Sequence, residues 1–306
     1  MPTKLKSWVS AARLRTLPLS LSGIITGTAI AKIYGYYDTS IFVAALLTTV
    51  AFQITSNFAN DYGDGVKGTD NEDRIGPQRA MQSGALSAQE LKRGIWVAIG
   101  VSLILVVLTI LLAFGWQAWP RLLVFFLLGG LSIWAAIRYT VGEQAYGYRG
   151  LGDLFVFLFF GVLAVCGTTY LYTKTFMVIS LLPALTIGAL SVAVLNLNNL
   201  RDHLSDKKAG KNTLVVKMGY DKGKLFHVLL ILLALLGMVL FGYLNAVCST
   251  YWHLLVFLPI LWQLRRVWLQ EEPVKLDPEL KVLALSTFAL ALAFYMDYHY
   301  FCIFVE

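Results

Sequence analysis

Long apolar stretches separated by short polar breaks run from residue 17 to residue 304. A transmembrane helix needs roughly 20 mostly apolar residues. Nine stretches qualify: 17–35, 41–60, 95–115, 120–139, 151–172, 176–197, 225–247, 252–269 and 282–304. Pro120, Pro183 and Pro259 lie in or beside three of them and blur their ends. Most connections are short, but residues 61–94 and 198–224 form longer polar breaks. The pattern predicts an all-α, polytopic membrane bundle of about nine helices, forming one domain over residues 1–306. Ahead of the first stretch, Trp8, Val9 and Leu14 alternate with Lys4, Lys6, Arg13 and Arg15 in a basic amphipathic segment. It leads into further spans without a small-residue cleavage site, which argues against a signal peptide.

Composition agrees with a membrane solvent. The 306 residues are 58% hydrophobic and 14% charged, with a mean hydropathy of +0.67. A soluble domain carries about a quarter charged residues. With the N-terminus placed in the cytoplasm, 22 of the 25 lysines and arginines fall on the inner side. Only Lys32, Arg121 and Lys174 remain outside. The positive-inside rule therefore orients the chain with its N-terminus and both long loops cytoplasmic and its C-terminus outside. The net charge of +7 is spread over these short loops, which speaks for topology and against nucleic-acid binding. Cys166, Cys248 and Cys302 have no CxxC spacing and sit in or near apolar stretches, so they read as buried small residues, with no disulfide framework and no zinc site.

Two polar clusters carry the candidate chemistry. One reads Asn57-Phe58-Ala59-Asn60-Asp61-Tyr62-Gly63-Asp64, the other Asn198-Asn199-Leu200-Arg201-Asp202-His203-Leu204-Ser205-Asp206. Each follows about twenty mostly apolar residues, where a helix leaves the bilayer. Side chains three and four residues apart share a helix face, so Asn57, Asn60, Asp61 and Asp64 point one way, and Asn198, Asp202 and Asp206 another. Lipid exposure of such groups costs several kcal/mol, so they face a cavity. They also sit at helix C-termini, where the macrodipole disfavours carboxylates and a bound cation reverses the penalty. Oxygen ligands from Asp and Asn suit Mg²⁺, which shares its coordination with phosphates. Lys67, Arg74, Arg79, Lys207 and Lys211 lie close in sequence and complement phosphate oxygens. Acidic residues at an interface are most simply solvated, but two clusters of matched spacing argue otherwise. An EF-hand fails because Gly63 and Gly65 occupy ligand positions. The signature of CDP-alcohol phosphotransferases fails because Asp64-Gly65 continues as Val66-Lys67-Gly68-Thr69.

The chain resembles UbiA-type intramembrane prenyltransferases, whose two Asp-rich motifs match Asn57-x-x-Asn60-Asp61-x-x-Asp64, continuing to Asp70, and Asp202-x-x-x-Asp206. Arg13-Leu14-Arg15-Thr16-Leu17-Pro18, Asp73-Arg74-Ile75-Gly76-Pro77 and Tyr146-Gly147-Tyr148-Arg149-Gly150-Leu151-Gly152-Asp153 are similar to the 1,4-dihydroxy-2-naphthoate polyprenyltransferase branch of menaquinone biosynthesis. One departure is that the third regularly spaced acid of some relatives falls at Gly68, which leaves Asp70 or Asp73 to supply it.

The resemblance implies prenylation of 1,4-dihydroxy-2-naphthoate by a polyprenyl diphosphate in a bacterial inner membrane, with loss of CO₂ and diphosphate. It implies two Mg²⁺ ions on Asn57, Asp61, Asp64, Asp70, Asp202 and Asp206. Asn60 and Asn198 support them, and Lys67 and Lys211 contact the diphosphate. Arg15 and Arg149 are candidates for the aromatic carboxylate, which a guanidinium binds bidentately. Tyr139 and Tyr146 are candidates for shielding an allylic cation with their ring faces. His203 is a minor candidate for proton handling. The alternatives are 4-hydroxybenzoate or homogentisate as the acceptor, and a cation transporter whose acids form an ion path. Transporter sites lie near the bilayer midplane, whereas these clusters lie at helix ends.

Overall fold

The computed structural model describes residues 4–70, 75–245 and 251–297, and among these all regular secondary structure is helical. Helix α1 (Lys4–Ala12) is short and leads through a 3₁₀ turn at Leu14–Thr16 into α2 (Leu17–Ile33). Helices α3 (Thr39–Val66), α4 (Ala88–Phe114) and α5 (Trp119–Arg138) follow. Next, α6 (Gly152–Val156) passes through a π-helical stretch, Phe157–Gly167, into α7 (Thr168–Thr173). Then come α8 (Leu181–Lys208), the short α9 (Leu214–Met218), α10 (Tyr220–Leu244), α11 (Phe257–Leu269) and α12 (Asp277–Met296).

Eight helical segments among the described residues are long and apolar enough to cross a membrane, against nine expected. The difference lies at 252–269, where a 3₁₀ turn (Trp252–Val256) precedes the 13-residue α11. That helix carries Gln263, Arg265 and Arg266 and falls short of the roughly 20 apolar residues a span needs. The expected stretch 282–304 continues past the described residues. Helices α3 and α8 run beyond their apolar parts, to Val66 and Lys208. Nothing in the acidic clusters breaks a helix. The first left-handed residue after each is a glycine, Gly68 at φ 71° and Gly210 at φ 72°, which lets the chain turn away. The acidic residues therefore ride on the closing turns of both helices.

The chain divides into two compact units, each assembled from separated stretches. One comprises Met1–Leu17, Val43–Gly152 and Asp202–Met218. Its core gathers Ala11, Ala12, Phe58, Ala59, Leu91 and Ile95. Trp8 anchors α1 here, meeting Phe58 edge-on at 5.2 Å and lying over Gly94, where a Cβ would approach the indole to 2.5 Å. An ion pair between Lys4 and Glu90 closes the same contact, and Glu90 also completes a capping box with Ser87 at the start of α4.

The other unit comprises Pro18–Phe42, Asp153–Arg201 and Gly219–Glu306. Its helices meet through small residues. At Gly161 an added Cβ would come within 2.6 Å of the Gly188 Cα, so the two backbones touch without side chains between them. Polar links add to the packing: Thr186 donates to the Ala234 carbonyl at 2.8 Å, and the buried Arg201 pairs with the half-exposed Asp277. Cys166 is buried as expected and accepts from Ser180 Oγ at 3.2 Å, while Cys248 and Cys302 lie outside the described residues.

Candidate active site at the ends of α3 and α8

The first acidic cluster is buried and held by its own chain. Asn57, Asp61 and Asp64 are each no more than 3% exposed. Asn57 donates to the Ala12 carbonyl at 2.8 Å and to the Thr16 hydroxyl at 3.2 Å, and its oxygen accepts from Gln53. Asp61 accepts from the backbone N–H groups of Ala80 and Met81, at 3.1 and 3.2 Å. Asp64 accepts from Arg79 Nη1 at 2.6 Å with one oxygen and from the Tyr148 hydroxyl at 2.7 Å with the other. Asn60 accepts from Thr140 at 3.3 Å through its side chain and from Arg79 at 2.9 Å through its carbonyl.

Arg79 plays a different part from the one its sequence position suggests. Its guanidinium is buried and bridges Asp64 and Asp70, the latter at 3.1 Å. Burial alone would lower its pKa, but Asp64, Asp70 and Asp61 raise it above its ordinary value. The arginine thus neutralises the protein's own carboxylates, where the sequence reading had it complementing phosphate. Arg74 and Asp73 lie outside the described residues.

The second cluster joins the first within the same unit. Asp202 and Asp206 are buried, and Asp206 interacts electrostatically with Lys211, Asp202 and Asp64. Lys211 Nζ lies 3.3 Å from Asp206 Oδ1, and the Lys211 backbone N–H donates to the Asp206 carbonyl at 2.8 Å. The other carboxylate oxygen, Asp206 Oδ2, is buried with no hydrogen-bond partner among the described residues. A buried oxygen of this kind is costly unless something completes it. Asn198 belongs to the other unit, where its oxygen accepts from Arg201 at 2.8 Å. The adjacent Asn199 is the buried one, 3% exposed, and its Oδ1 has no hydrogen-bond partner among the described residues. Helical arithmetic could have found it, since the seven residues from Asn199 to Asp206 make almost two full turns. His203 is only partly buried.

A 3₁₀ turn at Tyr146–Arg149 completes this region. The Tyr146 hydroxyl donates to the Ala135 carbonyl at 2.8 Å, and its ring meets Tyr139 edge-on at 5.4 Å. Burial, with Tyr139 adding to it, raises the Tyr146 pKa. Tyr148, which the sequence reading noted only as part of a motif, stands at the centre. Besides Asp64, its hydroxyl meets Thr69 Oγ1 at 2.6 Å. Lys67 Nζ sits 3.9 Å from its ring centroid and Lys211 Nζ 5.9 Å. Burial, and then the charge of Asp64, push its pKa well above the usual phenol range. Arg149 is exposed, and its carbonyl accepts from Lys217 at 2.6 Å. Arg15 lines a cavity of about 300 Å³ beside Asp61, together with Arg13, Leu14, Gln78 and Arg79. Arg13 is held in the left-handed region at φ 48°, a conformation rare outside glycine.

Among the described residues no three His, Cys, Asp or Glu side chains stand close enough to hold a metal ion by themselves. The donors present are nevertheless all oxygens, and one of them, Asp206 Oδ2, is buried and uncompleted. This chemistry fits a hard divalent cation that takes its remaining ligands from asparagine, water or a phosphate.

The model of the UbiA prenyltransferase family matches residues 20–277. The chain is 43% identical over 282 residues to the 1,4-dihydroxy-2-naphthoate octaprenyltransferase of Escherichia coli K12, covering 91% of this chain and 90% of that one. It is 42% identical to the protein of the same name from Haemophilus influenzae, covering 95% of each. In fold it resembles the apo structure of a UbiA homolog from Aeropyrum pernix K1, with a TM-score of 0.70 at 13% identity over 92% of this chain and 97% of that one. A UbiA homolog from Archaeoglobus fulgidus, bound to DMAPP and Mg²⁺, matches with a TM-score of 0.59 at 15% identity over 92% and 98% of the two chains.

Proposed function

The chain belongs to the UbiA prenyltransferase family, and on that premise we propose that it transfers a polyprenyl group from its diphosphate to 1,4-dihydroxy-2-naphthoate. Diphosphate and CO₂ leave, and the product is demethylmenaquinol. The observation that carries this reading is the meeting of the two motifs: Asp64 and Asp206 lie within electrostatic reach of each other and of Lys211. The high identity to two naphthoate octaprenyltransferases supports the choice of acceptor.

Asn57, Asp61, Asp64, Asp70, Asp202 and Asp206 would hold Mg²⁺, which when bound neutralises the diphosphate and makes it a better leaving group. Lys67 and Lys211 donate to diphosphate oxygens left over. Arg15, on the cavity beside Asp61, takes the carboxylate of the aromatic acid. The allylic C–O bond breaks, the electron-rich ring supplies the pair for the new C–C bond, and the ring carboxylate departs as CO₂. Tyr139 and Tyr146 turn aromatic surface toward the developing cation. Burial of the acidic residues keeps water from quenching it. With the N-terminus inside, the site opens on the cytoplasmic face of the inner membrane.

The test is an assay of membranes carrying the protein, with labelled polyprenyl diphosphate and a choice of aromatic acids, with and without Mg²⁺. Prenylated product from the naphthoate, dependent on the metal, is expected. Product from 4-hydroxybenzoate or homogentisate alone would move the acceptor. Uptake of cation without any product would favour a transporter.

A further inference from the structure

Resting on the reading of the substrate as a prenyl diphosphate, we infer that Tyr148 is a positioning residue that assembles one lysine from beyond each acidic motif into a single anion clamp. Its ring is the common element. Lys67 Nζ lies 3.9 Å from the ring centroid and Lys211 Nζ 5.9 Å, both within the range of cation–π attraction. The two lysines follow different helices, α3 and α8, and among the described residues Lys211 is also paired with Asp206.

The hydroxyl fixes the ring in place. A carboxylate only accepts, so the phenol O–H donates to Asp64, and the Thr69 hydroxyl at 2.6 Å donates to the phenol oxygen. The main chain fixes it again, because the Tyr148 carbonyl accepts from the Asn212 N–H at 3.1 Å. One residue thus ties the loop after α3, the 3₁₀ turn and the loop after α8. Two ammonium groups ordered on one ring suit the two charged ends of a diphosphate. They supply a leg of the site that needs no metal.

This separates into two measurable functions. The ring orders the lysines, and the hydroxyl orients Asp64. The full chain in detergent or nanodiscs is titrated with a prenyl thiolodiphosphate in the presence of a chelator, and turnover is measured separately with Mg²⁺. Tyr148→Leu is expected to weaken metal-free binding about tenfold. Tyr148→Phe is expected to keep metal-free binding within about twofold of the parent while kcat falls roughly tenfold, and Tyr148→Trp is expected to restore binding to the Leu variant's site. Equal metal-free binding by the parent and the Leu variant would overturn the inference. So would a Phe variant as weak as the Leu variant. Should the Leu variant fail to fold, Lys67→Gln and Lys211→Gln decide the matter singly and together. A shared clamp gives a double variant little worse than either single one, and fully additive losses overturn it. Binding by the parent without prenyl transfer would sink the transfer reading and leave the clamp supported.

Discussion

On α3, each carboxylate oxygen of Asp61 and Asp64 has a donor within the protein, whereas on α8 Asp206 keeps one buried oxygen with no donor among the described residues. The two motifs use the same residue types near helix C-termini, yet their electrostatics differ. Helix α3 has no basic residue in its last turn, so its acids depend on Arg79 and on the amides of Ala80 and Met81. Helix α8 ends with Lys207 and Lys208, which already answer its dipole. The first motif is therefore held in position by its own chain before any ligand arrives, while the second keeps one buried oxygen open to an incoming ligand. The difference teaches that spacing identifies the motif but the partners identify its task.

The comparison breaks most readily at Arg79. Replacing it with methionine leaves Asp64 and Asp70 buried without their shared cation, and breaking a buried pair in this way costs about 3–5 kcal/mol. Denaturation in detergent measures the loss. A variant as stable as the parent would mean that the first motif is not held in this way.

Next in size is the split between Asp206 and Asp61. Asp206→Asn is expected to lower kcat by about 10²–10³-fold, as removal of a transition-state charge contact does, with a smaller loss of thermal stability than at Asp61, because the amide oxygen still accepts from Lys211 Nζ. Asp61→Asn is expected to lose activity and also about 1–3 kcal/mol of stability, because its amide turns an N–H toward the N–H groups of Ala80 and Met81. Identical stability in the two variants would erase the distinction drawn here.

A smaller effect is expected at Gly63, inside the first motif. A Cβ there would lie 2.5 Å from Thr140 Oγ1 and 2.8 Å from the Thr140 backbone. That hydroxyl also bonds the Ala59 carbonyl and Asn60. Gly63→Ala is expected to cost about 1–3 kcal/mol by overpacking, and a neutral result would show that α3 can shift without harm.

Much of this was legible before the fold was known. The apolar stretches gave the helical membrane class, and three-to-four spacing put Asn57, Asp61, Asp64, Asp202 and Asp206 on buried faces. Counting in steps of four selected Asn198, whereas Asn199, seven residues before Asp206 and so almost two full turns away, is the buried one. Spacing could not assign Arg79, which lies 15 residues from Asp64 in sequence and reaches it only when the intervening loop folds back. The same holds for Tyr148, 84 residues away. The eight spans among the described residues, in place of nine, trace to α11, where two arginines and a glutamine interrupt an apolar average. Local pattern carries helices, while partners across long sequence separations come only from tertiary packing.

The smallest expected effect concerns the two lysines that follow the motifs. Lys211 is buried and bonded to Asp206, while Lys67 is exposed over the Tyr148 ring. Desolvation lowers the Lys67 pKa below 10.5, and nearby Arg138 lowers it further against the pull of Asp64. A lysine must be charged to bind diphosphate, so affinity is expected to start falling at a lower pH than for an ordinary lysine. The stability sign is opposite. Where the folded pKa lies below the unfolded one, the unfolded chain holds more protons, and stability rises with pH through that window. Lys67→Arg keeps its charge throughout, so its affinity profile should stay flat where the parent's declines. Parallel profiles would show that Lys67 takes no part in binding and that the second motif's lysine acts alone.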